Sequence, residues 1–178
     1  EHRPCPGPVN PPVHHASTIL FPSVAAYDES RKDRFKRGLS YGIHGTPTTF
    51  ALEDAICAVE GGDRCLLTGS GLSAITTALL AYLKSGDHLL MVDSVYGPAR
   101  RFCDDMLKSL AIETDYYDPA IGAGIANLIR DNTKVVYVES PGSDTFEIQD
   151  VPEIAKAAHG RNVKVMMDNT WGLHFFQP

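Results

Sequence analysis

Asp168 closes the apolar run Val163-Lys164-Val165-Met166-Met167-Asp168, which reads as a buried strand. An unpaired carboxylate there is costly to desolvate, so the sequence asks what partner it was given. One reading has it capping a following helix, but Trp171-Gly172 is a poor helix start. The other pairs it with a cationic ring nitrogen, which an acid keeps protonated and ready to accept electrons. A second group of residues is the turn Gly69-Ser70-Gly71-Leu72-Ser73-Ala74, between a short apolar run and a helical pattern. Free N–H groups and the helix dipole make such a turn a seat for phosphate. Gly71 admits close approach and Ser70 adds a hydroxyl. Two glycines at a strand-to-helix turn also serve packing alone. A third is Tyr96, where an aromatic can stack on a planar ring or simply cap the core edge.

The same turn supports a rival. Gly69, Gly71 and Ala74 fit G-x-G-x-x-A, and Asp93 follows where a ribose-binding acid belongs, so these residues alone describe an NAD-binding domain. Asp168 decides between the two. A phosphate seat, a stacking aromatic and a buried acid on successive strand ends describe a pyridoxal phosphate site, and a dinucleotide has no use for that acid.

These residues need a scaffold, and the chain has one. It holds 178 residues, 43% hydrophobic and 21% charged, with net charge −6. That balance fits one soluble domain and gives no electrostatic footprint for nucleic acid. No apolar run is long enough for a membrane span, and the proline-rich start has no signal-peptide core. Cys5, Cys57, Cys65 and Cys103 lack C-x-x-C spacing, and the histidines lack ligand spacing, so no metal is expected. Scattered thiols fit a reducing cytoplasm.

Residues 1–45 carry Pro4, Pro6, Pro8, Pro11, Pro12 and Pro22, and are expected to form an extended arm. Residues 46–178 alternate helix and strand. Helices are predicted in the segments starting at Thr46, Ser70, Gly97, Gly124 and Asp150. Strands are predicted over Arg64–Thr68, His88–Asp93, Ile112–Tyr117, Thr133–Glu139 and Val163–Asp168. Apolar strands separated by helices imply an α/β fold with a largely parallel sheet covered on both faces. Sites in such sheets lie beyond the carboxyl ends of the strands.

The segments "VNPPVHHASTILFPSV", "YGIHGTPTTFALEDAICAVEGG", "GSGLSAI", "GDHLLMVDSVYGP", "VYVESPGS" and "VKVMMDNTW" resemble the Cys/Met-metabolism family of pyridoxal-phosphate enzymes, of fold type I. "ESPGS" resembles its β-lyase branch; the synthase and γ-lyase branches usually have Asn-Pro where Ser143-Asp144 stand. The resemblance implies cleavage of L-cystathionine by α,β-elimination, to homocysteine, pyruvate and ammonia. It implies that Gly71 and Leu72 hold the cofactor phosphate through N–H groups. Tyr96 would stack on the ring and handle the substrate amine proton, Asp168 would bind the ring nitrogen, and Ser143 would sit near the phenolic oxygen. Tyr41 would reach the phosphate of a neighbouring subunit, making the protein a homo-oligomer with shared sites. The family's usual Arg after that Tyr is replaced by Ile43, beside His44. The family's cofactor-linking lysine and C-terminal domain would lie past Pro178, so the 178 residues alone are expected to be inactive. A γ-synthase or γ-lyase of the same family, the NAD-binding domain, and a non-catalytic binding or assembly module are the alternatives.

Overall fold

The computed structural model describes residues 9–32 and 38–172. The prolines at 4, 6 and 8 of the expected arm, and the last six positions, lie outside them. The chain divides into two compact units, Glu1–Leu67 and Thr68–Pro178.

In the first unit, α1 (Val24–Ser30) starts where Ser23 Oγ accepts from Ala26 N at 3.1 Å. The expectation of an extended arm thus meets a short helix directly after Pro22, because Ser23 supplies the acceptor that an orphan helix N–H needs. Thr18 and Tyr41 form an antiparallel bridge. Gly42 follows it, and a Cβ there would lie 1.7 Å from the Ala16 carbonyl oxygen, so only glycine fits. The helix α2 (Pro47–Glu60) begins at Thr46 with a capping box: Thr46 N donates to Thr49 Oγ1 at 2.8 Å. It stops at Gly61, whose φ of 67° is left-handed.

The second unit holds the core. Four parallel strands, β1 (His88–Val92), β2 (Glu113–Tyr117), β3 (Thr133–Glu139) and β4 (Lys164–Asp168), stand in the order β2-β1-β3-β4. The central pair is buried: Leu89, Leu90, Met91, Val92, Val135, Val136 and Val138 are all fully inside. Each such side chain is stabilised by about 1.5–3 kcal/mol relative to exposure. Helix α3 (Gly71–Tyr82) buries Ile75 and Leu79, and α5 (Val151–His159) buries Val151, Ile154 and Ala158. Helix α4 (Gly97–Arg101) widens into a π-helical segment, Phe102–Leu107. That segment lies on the β1 face that carries Met91, with Cys103 Sγ 3.6 Å from Met91 Sδ.

Four of the five expected strands form. The exception is Arg64–Thr68, which is not in strand conformation, and its Leu66 is 77% exposed. The segment from Gly122 to Asn127 is 3-10 rather than α-helical. Two glycines in six weaken it as an α-helix.

Candidate active site

Parallel strands bring their carboxyl ends to one edge of the sheet. There β1 runs into Asp93–Tyr96, β3 into Ser140–Ser143, and β4 into Asn169–Trp171. Because β1, β3 and β4 are consecutive in the sheet, these three segments are neighbours. Glu139 and Asp168 are register partners, so their side chains leave the same face.

Asp168 is half-buried. Its Oδ1 accepts from Thr170 N at 3.0 Å and its Oδ2 lies 3.4 Å from the Tyr137 hydroxyl. Burial and the Asp168 charge drive the Tyr137 hydroxyl far above its ordinary range, so it acts here only as a donor. Among the described residues no cation pairs with Asp168. The Thr170 contact closes a local turn, and residues 169–172 do not begin a helix.

Tyr96 leaves β1 with its ring 42% exposed. Its backbone N–H donates to Glu139 Oε2 at 2.8 Å. Ser143 N donates to Ser94 O at 2.9 Å, which ties the loop after β3 to the loop after β1. Gly142 makes that approach possible: a Cβ there would lie 2.6 Å from Ser94 Oγ. Ser94 Oγ is itself enclosed and has no hydrogen-bond partner among the described residues. Beside this cluster the Phe146 and Trp171 rings meet edge to face at 5.1 Å.

At the start of α3, Ser70 Oγ accepts from Ser73 N at 3.1 Å and Ser70 O from Ala74 N at 3.0 Å. The N–H groups of Gly71 and Leu72 lie before the helical ladder begins, and nothing stands within 4 Å of where a Gly71 Cβ would be. The turn therefore offers two donors, a helix dipole and open space to an anion.

The structure thus links Tyr96, Ser143 and Asp168 through bonded neighbours, and places Ser70, Gly71 and Leu72 together on α3 of the same unit. Tyr41 belongs to the first unit, where its hydroxyl accepts from Ser17 Oγ at 3.3 Å and its ring meets His44. Ile43 next to it is 82% exposed.

Glu139 is the residue the sequence reading passed over. It is 3% exposed, and burial, with Asp168 and Asp144 adding to it, pushes its carboxyl up to about 7. The Tyr96 N–H opposes that rise. Asp93 also finds its role. Arg100 Nη2 holds Asp93 Oδ1 at 2.5 Å and the Asp93 carbonyl at 2.7 Å, while its guanidinium stacks 3.8 Å over the Tyr116 ring. The acid a dinucleotide ribose would need is already engaged. A cleft of about 480 Å³ opens elsewhere, against β2, lined by Cys103, Asp104, Lys108 and Glu113 among others. It contains none of the strand-end cluster.

The chain belongs to the Cys/Met metabolism PLP-dependent enzyme family, whose sequence profile matches residues 1–178. The fold is accordingly that of pyridoxal-phosphate enzymes. A Rhizobium johnstonii relative is 53% identical over 173 residues, 97% of this chain and 42% of its own length. The cystathionine beta-lyase of Haemophilus influenzae is 46% identical over 167 residues, 93% of this chain and again 42% of its own. A Wolbachia pipientis relative, 40% identical over 93% of this chain and 43% of its own, is named L-alanine/L-glutamate racemase. The crystal structure of metB from Corynebacterium glutamicum superposes with a TM-score of 0.83 at 28% identity, over 95% of this chain and 42% of that one. The chain spans less than half the length of the curated relatives it matches.

The family is pyridoxal-phosphate-dependent. The donor set fits the cofactor: two N–H groups with open space for its phosphate, an exposed aromatic face, and a half-buried carboxylate without a cation.

Proposed function

We propose that the protein to which this chain belongs is a carbon–sulfur lyase that cleaves L-cystathionine by α,β-elimination. The observation that carries the site reading is the cation-free Asp168 carboxylate, one strand away from the residue that anchors Tyr96. When bound, pyridoxal phosphate supplies an electron sink for the negative charge developed at the substrate α-carbon. This chain's residues do the rest. The Gly71 and Leu72 N–H groups, with the Ser70 hydroxyl beside them, hold phosphate at the α3 start. Asp168 holds a proton on the ring nitrogen. Tyr96 lies against the ring and takes or returns the proton of the substrate amine. Ser143 donates toward the phenolic oxygen. Tyr41 acts on the phosphate of a second subunit, in a homo-oligomer with shared sites.

The lyase reading rests on relatives that bear that name and on "ESPGS" at Glu139–Ser143. In the reaction the bond between sulfur and the β-carbon breaks. Homocysteine leaves, and water converts the remaining fragment to pyruvate and ammonia. Incubating the full-length protein with cystathionine and pyridoxal phosphate should release homocysteine and pyruvate in equal amounts. Cysteine with 2-oxobutyrate would instead assign a γ-lyase. Interconversion of alanine or glutamate enantiomers without cleavage would assign a racemase, as one relative is named.

A further inference from the structure

Glu139 was given no role toward the cofactor above, yet at 3% exposed it is the most enclosed carboxylate among the described residues. Three elements meet on it. Its Oε2 accepts the Tyr96 N–H from the loop after β1 at 2.8 Å. Its Cα pairs in register with Asp168 on β4. Its carbonyl accepts from Gln149 Nε2 at 2.6 Å, in the loop that precedes α5. We propose that Glu139 is a positioning residue of the site: it fixes the Tyr96 ring relative to the Asp168 carboxylate by tying the Tyr96 backbone to the strand end paired with Asp168. This inference rests on the pyridoxal-phosphate reading of the site.

The charges around Glu139 explain why a glutamate can serve here. Asp168 faces it from β4, Asp144 acts on it from the loop after β3, and Glu147 lies in that same loop. Tyr137 on its own strand and Tyr117 from β2, whose hydroxyl bonds the Tyr137 carbonyl and Gln149, are both neutral donors. No cation among these groups offsets a fourth negative charge. With Oε2 committed as acceptor, a proton on Oε1 makes Glu139 a neutral acid that still holds Tyr96. The site then gains an anchor without a second anion competing with Asp168 for a cationic ring.

The prediction separates shape from charge. Glutamine keeps the acceptor and cannot ionise, whereas alanine removes the acceptor. In the full-length protein stripped of cofactor, hydrogen exchange at the Tyr96 amide should quicken roughly tenfold in Glu139→Ala and stay within about twofold of wild type in Glu139→Gln, as expected for one lost hydrogen bond. With pyridoxal phosphate added, Glu139→Ala should bind it about fivefold more weakly, and Glu139→Gln should restore wild-type affinity. Unchanged Tyr96 exchange in Glu139→Ala overturns the proposal. So does equal acceleration in both variants, which would mark a loss of general packing. If wild type fails to bind pyridoxal phosphate, the reading of the site falls, while the exchange measurement still judges the anchor.

Discussion

The two ends of this parallel sheet treat buried ionisable groups in opposite ways. At the amino end His88 is fully enclosed among charged and polar neighbours. Thr133 Oγ1 accepts from Arg130 N at 2.8 Å and lies 2.8 Å from His88 Nδ1. His88 Nε2 faces Asp115 at 3.4 Å. Arg130 in turn pairs with Asp115, and with Glu113 at 3.1 Å. At the carboxyl end Arg100 is taken by Asp93, and among the described residues no cation pairs with Glu139 or Asp168. The first network carries its own cation, Arg130, as a structural device does. The second is short of positive charge, and a cationic cofactor ring is what would complete it.

The contrast can be broken most sharply at Asp168. In the full-length protein Asp168→Asn should lower kcat by about a hundredfold or more while leaving the unfolding transition in place. Near-normal turnover would make Asp168 structural, and the two ends would be alike. At the opposite end His88→Ala should do the reverse. Loss of a buried ring and of the Thr133 partner should cost about 2–4 kcal/mol of stability, read by denaturant unfolding. Cofactor affinity of the folded fraction should not change.

The pH dependence of stability sharpens the comparison, because the two groups act with opposite sign. Burial and the nearby Arg130 lower the His88 pKa below 6.5. The folded state therefore favours neutral His88, and its contribution is present above pH 6.5 and lost as pH falls below it. Glu139 is raised from 4.5 to about 7, so the folded state favours its protonated form. Its contribution is complete below pH 4.5 and is lost as pH rises through 7. Wild-type stability should thus vary little between these limits. Glu139→Gln should remove the falling part, so that stability measured by urea unfolding rises from pH 5 to 7. A profile identical to wild type would remove Glu139 from the account. The smallest effect belongs away from both ends. Lys156→Ala breaks only the exposed pair with Glu153 on α5, and should shift stability by less than about 0.5 kcal/mol.

The same contrast explains what was legible in the sequence. β1, β3 and β4 announce themselves as short β-branched and apolar runs, and Asp168 stands out because it ends one of them. Arg64–Thr68 imitates that pattern, but its Leu66 stays 77% exposed, and an apolar run of two leucines is too short to fix a buried strand. Glu139 ends β3 in the same way as Asp168 ends β4, and was read only as the last residue of a strand. What gives it meaning is its place beside Asp168 and beneath Tyr96. That depends on β3 lying next to both β1 and β4 while β2 is displaced to the edge. Strand order of this kind is a long-range property with no local signal. The polar web around His88 was hidden for the same reason, since His88 and Thr133 are 45 residues apart.

Cys103, packed against the Met91 sulfur, carries a practical consequence. Burial drives its thiol up to about 12, so at neutral pH almost none is thiolate, and the residue is only 1% exposed. Cys57 and Cys65, both in the first unit, are only partly covered. The chain therefore carries its own pair of clocks. Modification of Cys57 or Cys65 can proceed from the native state, whereas modification of Cys103 must wait for the face of β1 to open, and its rate times that opening without any added label.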